Sequence, residues 1–132
     1  YVLNKLGMRV MGDIGCYTLA ALPPLSAMDA CLCMGASIGM AGGAERAQGK
    51  DFSRGTVAVL GDSTFIHSGI TSLIDAVYNR ETITVVILDN RITGMTGHQQ
   101  NPATGFDIHN QPAPLTSRPP SRPSVRPPPA SR

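Results

Sequence analysis

No stretch of this sequence stays apolar long enough to cross a bilayer. Asp, Arg or His interrupts every run, well short of the roughly 20 residues a membrane helix needs. No signal-peptide pattern follows Tyr1, and the chain does not start with Met; it reads as an internal piece of a longer protein. Zinc and iron–sulfur ligation lack their spacings. Cys31-x-Cys33 has no further Cys or His partner, and no C-x-x-C-x-x-C run exists. Three cysteines are also an odd number for a disulfide framework and suggest reduced thiols in a cytoplasmic protein. The dinucleotide fingerprint G-x-G-x-x-G is missing after the first apolar run, where GDIGCY stands instead.

Acidic residues are absent from the last 22 positions. Residues 111 to 132 carry four arginines and eight of the eleven prolines, whereas residues 1 to 110 carry seven basic and nine acidic groups. The formal charge of +2 is therefore a property of the tail, and the body is slightly acidic. No nucleic-acid footprint follows from it. The tail has little to bury and is expected to be disordered. The expected organisation is one partial domain over residues 1 to 105, followed by a Pro/Arg/Ser-rich tail over 106 to 132.

Within the body, 42 % hydrophobic residues suit a globular core. Met8 to Met11 reads as a strand closed by the turn GDIG, and Thr56 to Leu60 as a second strand. Ile83 to Leu88 reads as a third. The continuous apolar character of the second strand suits a parallel sheet covered on both faces. Between the strands, AMDACLCMGASIGMAGGAERAQ reads as a helix, with Cys31, Cys33 and Met28, Met34 and Met40 facing the core. Ile70, Leu73, Ile74 and Val77 recur at helical spacing from about His67 to Asn79. Strand, helix and strand make a right-handed βαβ unit. The expected class is α/β, a mostly parallel sheet with flanking helices.

Ligands of open parallel sheets sit beyond the carboxyl ends of the strands. That places GDIGC, GDST and DNRITGMTG on one rim. Asp62 and Asn90 bring hard oxygen ligands there, suited to Mg²⁺. The glycine-rich loop from Thr93 to Gly97 lets backbone N–H groups converge on an anion. The ligand expected from this chemistry is a diphosphate bridged by Mg²⁺.

Gly61-Asp62-Ser63 followed by Asp89-Asn90 resembles the thiamine-diphosphate motif. With GDIGCYTLAALPPL, MGASIGMA, GDSTFIHSGI and ILDNRITGMTGHQ, residues 7 to 105 are similar to the thiamine-diphosphate domain of 2-oxoacid:ferredoxin oxidoreductases, most of all the indolepyruvate α-subunit type. The resemblance implies a thiamine-diphosphate-binding fold, truncated at its carboxyl side. It implies Mg²⁺ held by Asp62, Asn90 and the Ile92 carbonyl. Gly61, Ser63, Gly94 and Thr96 would serve the diphosphate, and Gly15 and Cys16 would border the rings of the cofactor. Phe65 and His67 would stand on the substrate side, with His67 a candidate acid–base group. It further implies oxidative decarboxylation of an aryl pyruvate, with electrons leaving to ferredoxin. The [4Fe-4S] clusters and coenzyme A would belong to the intact complex, formed with the rest of the subunit and a second (β) subunit. No glutamate here is expected to activate the aminopyrimidine.

Other readings of the same residues stay open at this level. Asp62 could cap a helix and Asn90 could fold a turn. His67 could be a packed side chain and Cys16 a small buried one. The protein could be an acetolactate synthase or decarboxylase type of thiamine enzyme. It could also be a non-catalytic fragment whose Pro-rich tail binds an SH3-like partner.

Overall fold

The computed structural model describes residues 1–115. The expectation of a disordered tail therefore lies outside the described residues from 116 onward. Just before that point, Phe106 bridges Pro112, and the Asp107 carboxylate accepts the N–H groups of His109 and Gln111.

After a short helix α1 (Val2–Lys5), β1 (Arg9–Gly12) runs into a 3-10 helix, Cys16–Ala21. Then follow β2 (Ala30–Cys31), α2 (Ala36–Gln48), α3 (Lys50–Arg54) and β3 (Thr56–Gly61). One α-helical turn α4 (Asp62–Thr64), a π-helical turn Phe65–Gly69 and α5 (Ile70–Tyr78) lead to β4 (Thr84–Leu88). All pairings are parallel, in the order β2-β1-β3-β4. The chain passes from β1 to β2 on one side and then crosses back past β1 to reach β3 on the other. The strand order thus reverses between β1 and β3, where their carboxyl-end loops part and leave a crevice.

One face of the sheet packs Ile38 and Ala41 of α2 and Ala76 of α5 against Ala58 and Leu60, with Met11, Leu73 and Val85 beside them. The other face carries Val10, Val57 and Val59 and is covered by Leu3, Tyr17 and Met28. β3 is buried from Thr56 to Leu60, as its unbroken apolar run requires.

Two expectations need correction. The sheet has a further strand, β2, and the helix expected from Ala27 begins only at Ala36. Asp29 exchanges bonds with Val10, its N–H reaching the Val10 carbonyl (3.0 Å) and its carboxylate taking the Val10 N–H (2.7 Å). That ties the segment to the sheet edge. Gly35, at φ +89°, then holds a left-handed turn that a helix cannot run through. Cys31 consequently lies in β2, Cys33 and Met34 are exposed, and of these residues only Met40 sits in α2.

The apolar face of α5 is also rotated from expectation. Leu73 joins the core, but Ile70, Ile74 and Val77 are exposed, Val77 by 70 %. The physical cause is close packing through small residues. Ala76 is buried, and Ser72 Oγ stands 3.9 Å from the position a Cβ on Gly39 of α2 would take. Ile70, Ile74 and Val77 are turned outward.

Candidate functional site

Three chain segments meet at the carboxyl rim of β1, β3 and β4. They form a cavity of about 500 Å³ lined by residues 14–17, Met34, residues 61–64, residues 87–90 and residues 92–96. Gly15, Cys16, Gly61, Asp62, Ser63, Asn90, Ile92, Gly94 and Thr96 all line it. His67 does not. It lies on the π-helical turn, exposed, with Nδ1 2.5 Å from Ser68 Oγ. Phe65 packs against the core and is not among the lining residues either.

The wall is held in place from below by a residue the sequence reading passed over. Asp13 is fully buried; its carboxylate accepts the N–H of Gly35 (2.8 Å) and of Ser37 (2.7 Å). It thus satisfies the first donors of α2 from outside the helix and places negative charge at the positive end of the helix dipole. The Asp13 carbonyl accepts the Thr18 hydroxyl, whose oxygen takes the Gly15 N–H. The turn that carries Gly15 and Cys16 is thereby closed. Tyr17 folds its ring back over Gly15. A Cβ at Gly15 would come within 2.5 Å of the ring, which requires glycine there. Burial, and then the Asp13 charge, push the Tyr17 phenol well above its ordinary value, against a smaller opposing contact from the Gly61 backbone. The phenol is neutral at all physiological pH. An Asp directly after a strand is the signal that could have found Asp13; nothing local marks Tyr17.

Asp62 is the first residue of α4, one position past the cap, which is Gly61. The side chain is 6 % exposed and its Oδ2 is buried without a partner. A buried carboxylate oxygen left unpaired costs about 1–3 kcal/mol or more, so this position suits a cation. Asn90 does fold a turn, its Oδ1 accepting the Ile92 N–H at 3.1 Å, and it still lines the cavity. Cys16 is exposed rather than buried. Its Sγ would lie 3.8 Å from a Cβ on Gly94. The loop after β4 is closed by Thr93 and Gln99, which exchange backbone bonds of 2.9 and 3.0 Å, and the Thr96 hydroxyl donates to Gln99 Oε1. Among the described residues no group of three or more His, Cys, Asp or Glu side chains could hold a metal. A cation here would need the Asp62 carboxylate together with an amide and backbone oxygens, a donor set suited to Mg²⁺.

Residues 13–121 match the family described as thiamine pyrophosphate enzyme, C-terminal TPP binding domain. The chain belongs to this family. Among curated relatives, the protein named indolepyruvate oxidoreductase subunit IorA from Archaeoglobus fulgidus is 49 % identical over 106 residues, 80 % of this chain and 16 % of that protein. The protein of the same name from Methanothermobacter marburgensis is 50 % identical over 105 residues, with the same coverage. That from Thermococcus kodakarensis is 46 % identical over 108 residues, 74 % of this chain and 16 % of its own length. The chain thus spans about a sixth of the length of these relatives. No solved structure matches it significantly. As a TPP-binding domain it has the α/β parallel architecture expected, with the crevice between β1 and β3 at its centre. No helix among the described residues is long and apolar enough to cross a membrane.

Proposed function

We propose that the cavity receives the diphosphate end of thiamine diphosphate through Mg²⁺ held by Asp62, Asn90 and the Ile92 carbonyl. We further propose that the chain acts as part of an enzyme that oxidatively decarboxylates an aryl 2-oxoacid such as indolepyruvate, with ferredoxin as acceptor. The observation that carries the cofactor reading is the buried, unpartnered Asp62 Oδ2 in the wall that Asn90 and Ile92 share. The names of the relatives, indolepyruvate oxidoreductase subunits, support the substrate class.

When bound, thiamine diphosphate supplies the carbon nucleophile and electron sink for 2-oxoacid decarboxylation. This chain's own part is to bind and orient. Asp62, itself almost fully buried, meets the cation with a carboxylate oxygen that has no protein partner. Gly61, Ser63, Gly94 and Thr96 face the diphosphate, and Gly15 and Cys16 border the rings. Glu45 and Glu81 do not line the cavity. Glu45 accepts from Thr82 and Glu81 pairs with Arg46, so neither is placed to activate the aminopyrimidine. That group, the [4Fe-4S] clusters and the coenzyme A site belong, on this reading, to other domains of the subunit and to a second (β) subunit in the cytoplasm.

Calorimetric titration of thiamine diphosphate, with and without Mg²⁺, tests the reading. Heat is expected only with Mg²⁺ and is expected to vanish in Asp62→Ala. Mg²⁺-independent heat, or heat that survives Asp62→Ala, sinks the assignment of the metal site.

A further inference from the structure

Ser63 follows Asp62 in the cavity wall, and its hydroxyl is the end of a chain of side chains that begins outside the cavity. Asn101 is 9 % exposed. Its Oδ1 accepts the Ala103 N–H at 2.8 Å. With the oxygen so engaged, the amide must present Nδ2 on its other side, because the two atoms are fixed relative to each other. Asn101 Nδ2 donates to Thr93 Oγ1 at 3.2 Å, and Thr93 Oγ1 donates its single proton to Ser63 Oγ at 3.0 Å. Thr93 is itself fixed by its two backbone bonds to Gln99.

We propose that Asn101, Thr93 and Ser63 form a one-directional hydrogen-bond relay that turns the Ser63 proton into the cavity, making Ser63 an obligate donor to a bound anion. This rests on the thiamine-diphosphate reading and adds two positioning residues to it, Thr93 and Asn101. The direction is set at the Asn101 end by a backbone N–H, which can only donate. Each link then accepts on one side and donates on the other, so Ser63 accepts a hydrogen bond from Thr93 and has its own proton left to donate. Hydrogen bonds in such a chain polarise one another, which strengthens the donor at its end. The other hydroxyl placed at the diphosphate differs, since Thr96 spends its proton on Gln99 Oε1. Toward an anion, Thr96 offers only lone pairs in this arrangement. The relay also latches the loop after β4 to the end of β3, so the anion site and its metal ligands are held in one frame.

The test is calorimetric titration of thiamine diphosphate with Mg²⁺ into the 132-residue chain, together with the ³¹P resonance positions of the bound diphosphate. Thr93→Val keeps the shape but removes the hydroxyl; affinity is expected to fall about tenfold and the ³¹P signals to move. Thr93→Ser keeps the hydroxyl and is expected to restore both. Asn101→Asp replaces the donor by an acceptor of the same shape. Thr93 then donates toward residue 101, Ser63 donates to Thr93, and affinity is expected to fall by at least as much as in Thr93→Val. Circular dichroism of each variant is expected to match that of the parent. Wild-type affinity and unmoved ³¹P signals in folded Thr93→Val and Asn101→Asp would overturn the relay while leaving the cofactor reading intact. Failure of Thr93→Ser to restore binding would also overturn it. Absence of binding by the parent chain would overturn the cofactor reading, and the relay with it.

Discussion

Glu45 shows how one side chain joins packing to pH dependence. Burial alone would raise its carboxyl, but Ser53 beside it, the Thr82 N–H at 2.7 Å, the Thr82 hydroxyl at 3.0 Å and nearby Lys50 outweigh that and lower it. A carboxylate lowered in the folded state contributes stability above its unfolded value of about 4.3. That contribution is lost as pH falls through the folded-state value. Glu45→Gln is therefore expected to reduce stability at neutral pH and to flatten the acid limb of a Tm-against-pH curve; an unchanged acid limb would refute it. At this scale the sequence was most legible where chemistry is local. Asp62 and Asn90 follow apolar runs directly, so strand-end geometry brings them to the cavity. Tyr17, Thr93 and Asn101 were not legible, because each acquires its role from tertiary placement: Tyr17 from the turn that folds its ring over Gly15, Thr93 from Ser63 thirty residues earlier, and Asn101 from Thr93 across the loop after β4. His67 shows the converse. The resemblance placed it on the substrate side, and the π-helical turn leaves it exposed and outside the cavity lining.

At the scale of elements, β1, β3, β4 and α5 were readable from runs and periodicity, whereas β2 and the start of α2 were not. Two residues are too few to show alternation. The Asp29–Val10 exchange and the Gly35 turn outrank the helix propensity of a stretch rich in Ala, Met and Leu. Period also shows which residues share a helix face, not which face turns inward. On α5 the inward side is taken by Ala76, Ser72 and Leu73, and the other bulky residues face out. A pair of substitutions checks this assignment by denaturant unfolding. Leu60→Ala, at a fully buried position, is expected to cost about 2–5 kcal/mol. Ile74→Ala, 64 % exposed, is expected to stay within about 0.5 kcal/mol. Equal costs would mean that the outer face of α5 is covered in solution.

At the scale of the whole molecule, the parallel sheet leaves no pair of strands joined by a tight turn. Gly12 must find Cys31, then Val59, and Val59 must find Val86, each closure enclosing a long stretch of chain. Parallel pairing of this kind is slow to form. The cavity draws its wall from all three carboxyl ends, so it does not exist until the last closure is made. A ligand of that cavity arrives too late to guide the chain and acts only as a lock on the finished product. Kinetically, saturating thiamine diphosphate with Mg²⁺ should leave the refolding limb of a chevron where it is and depress the unfolding limb alone. Acceleration of refolding would mean that the rim is assembled early, before the sheet is complete.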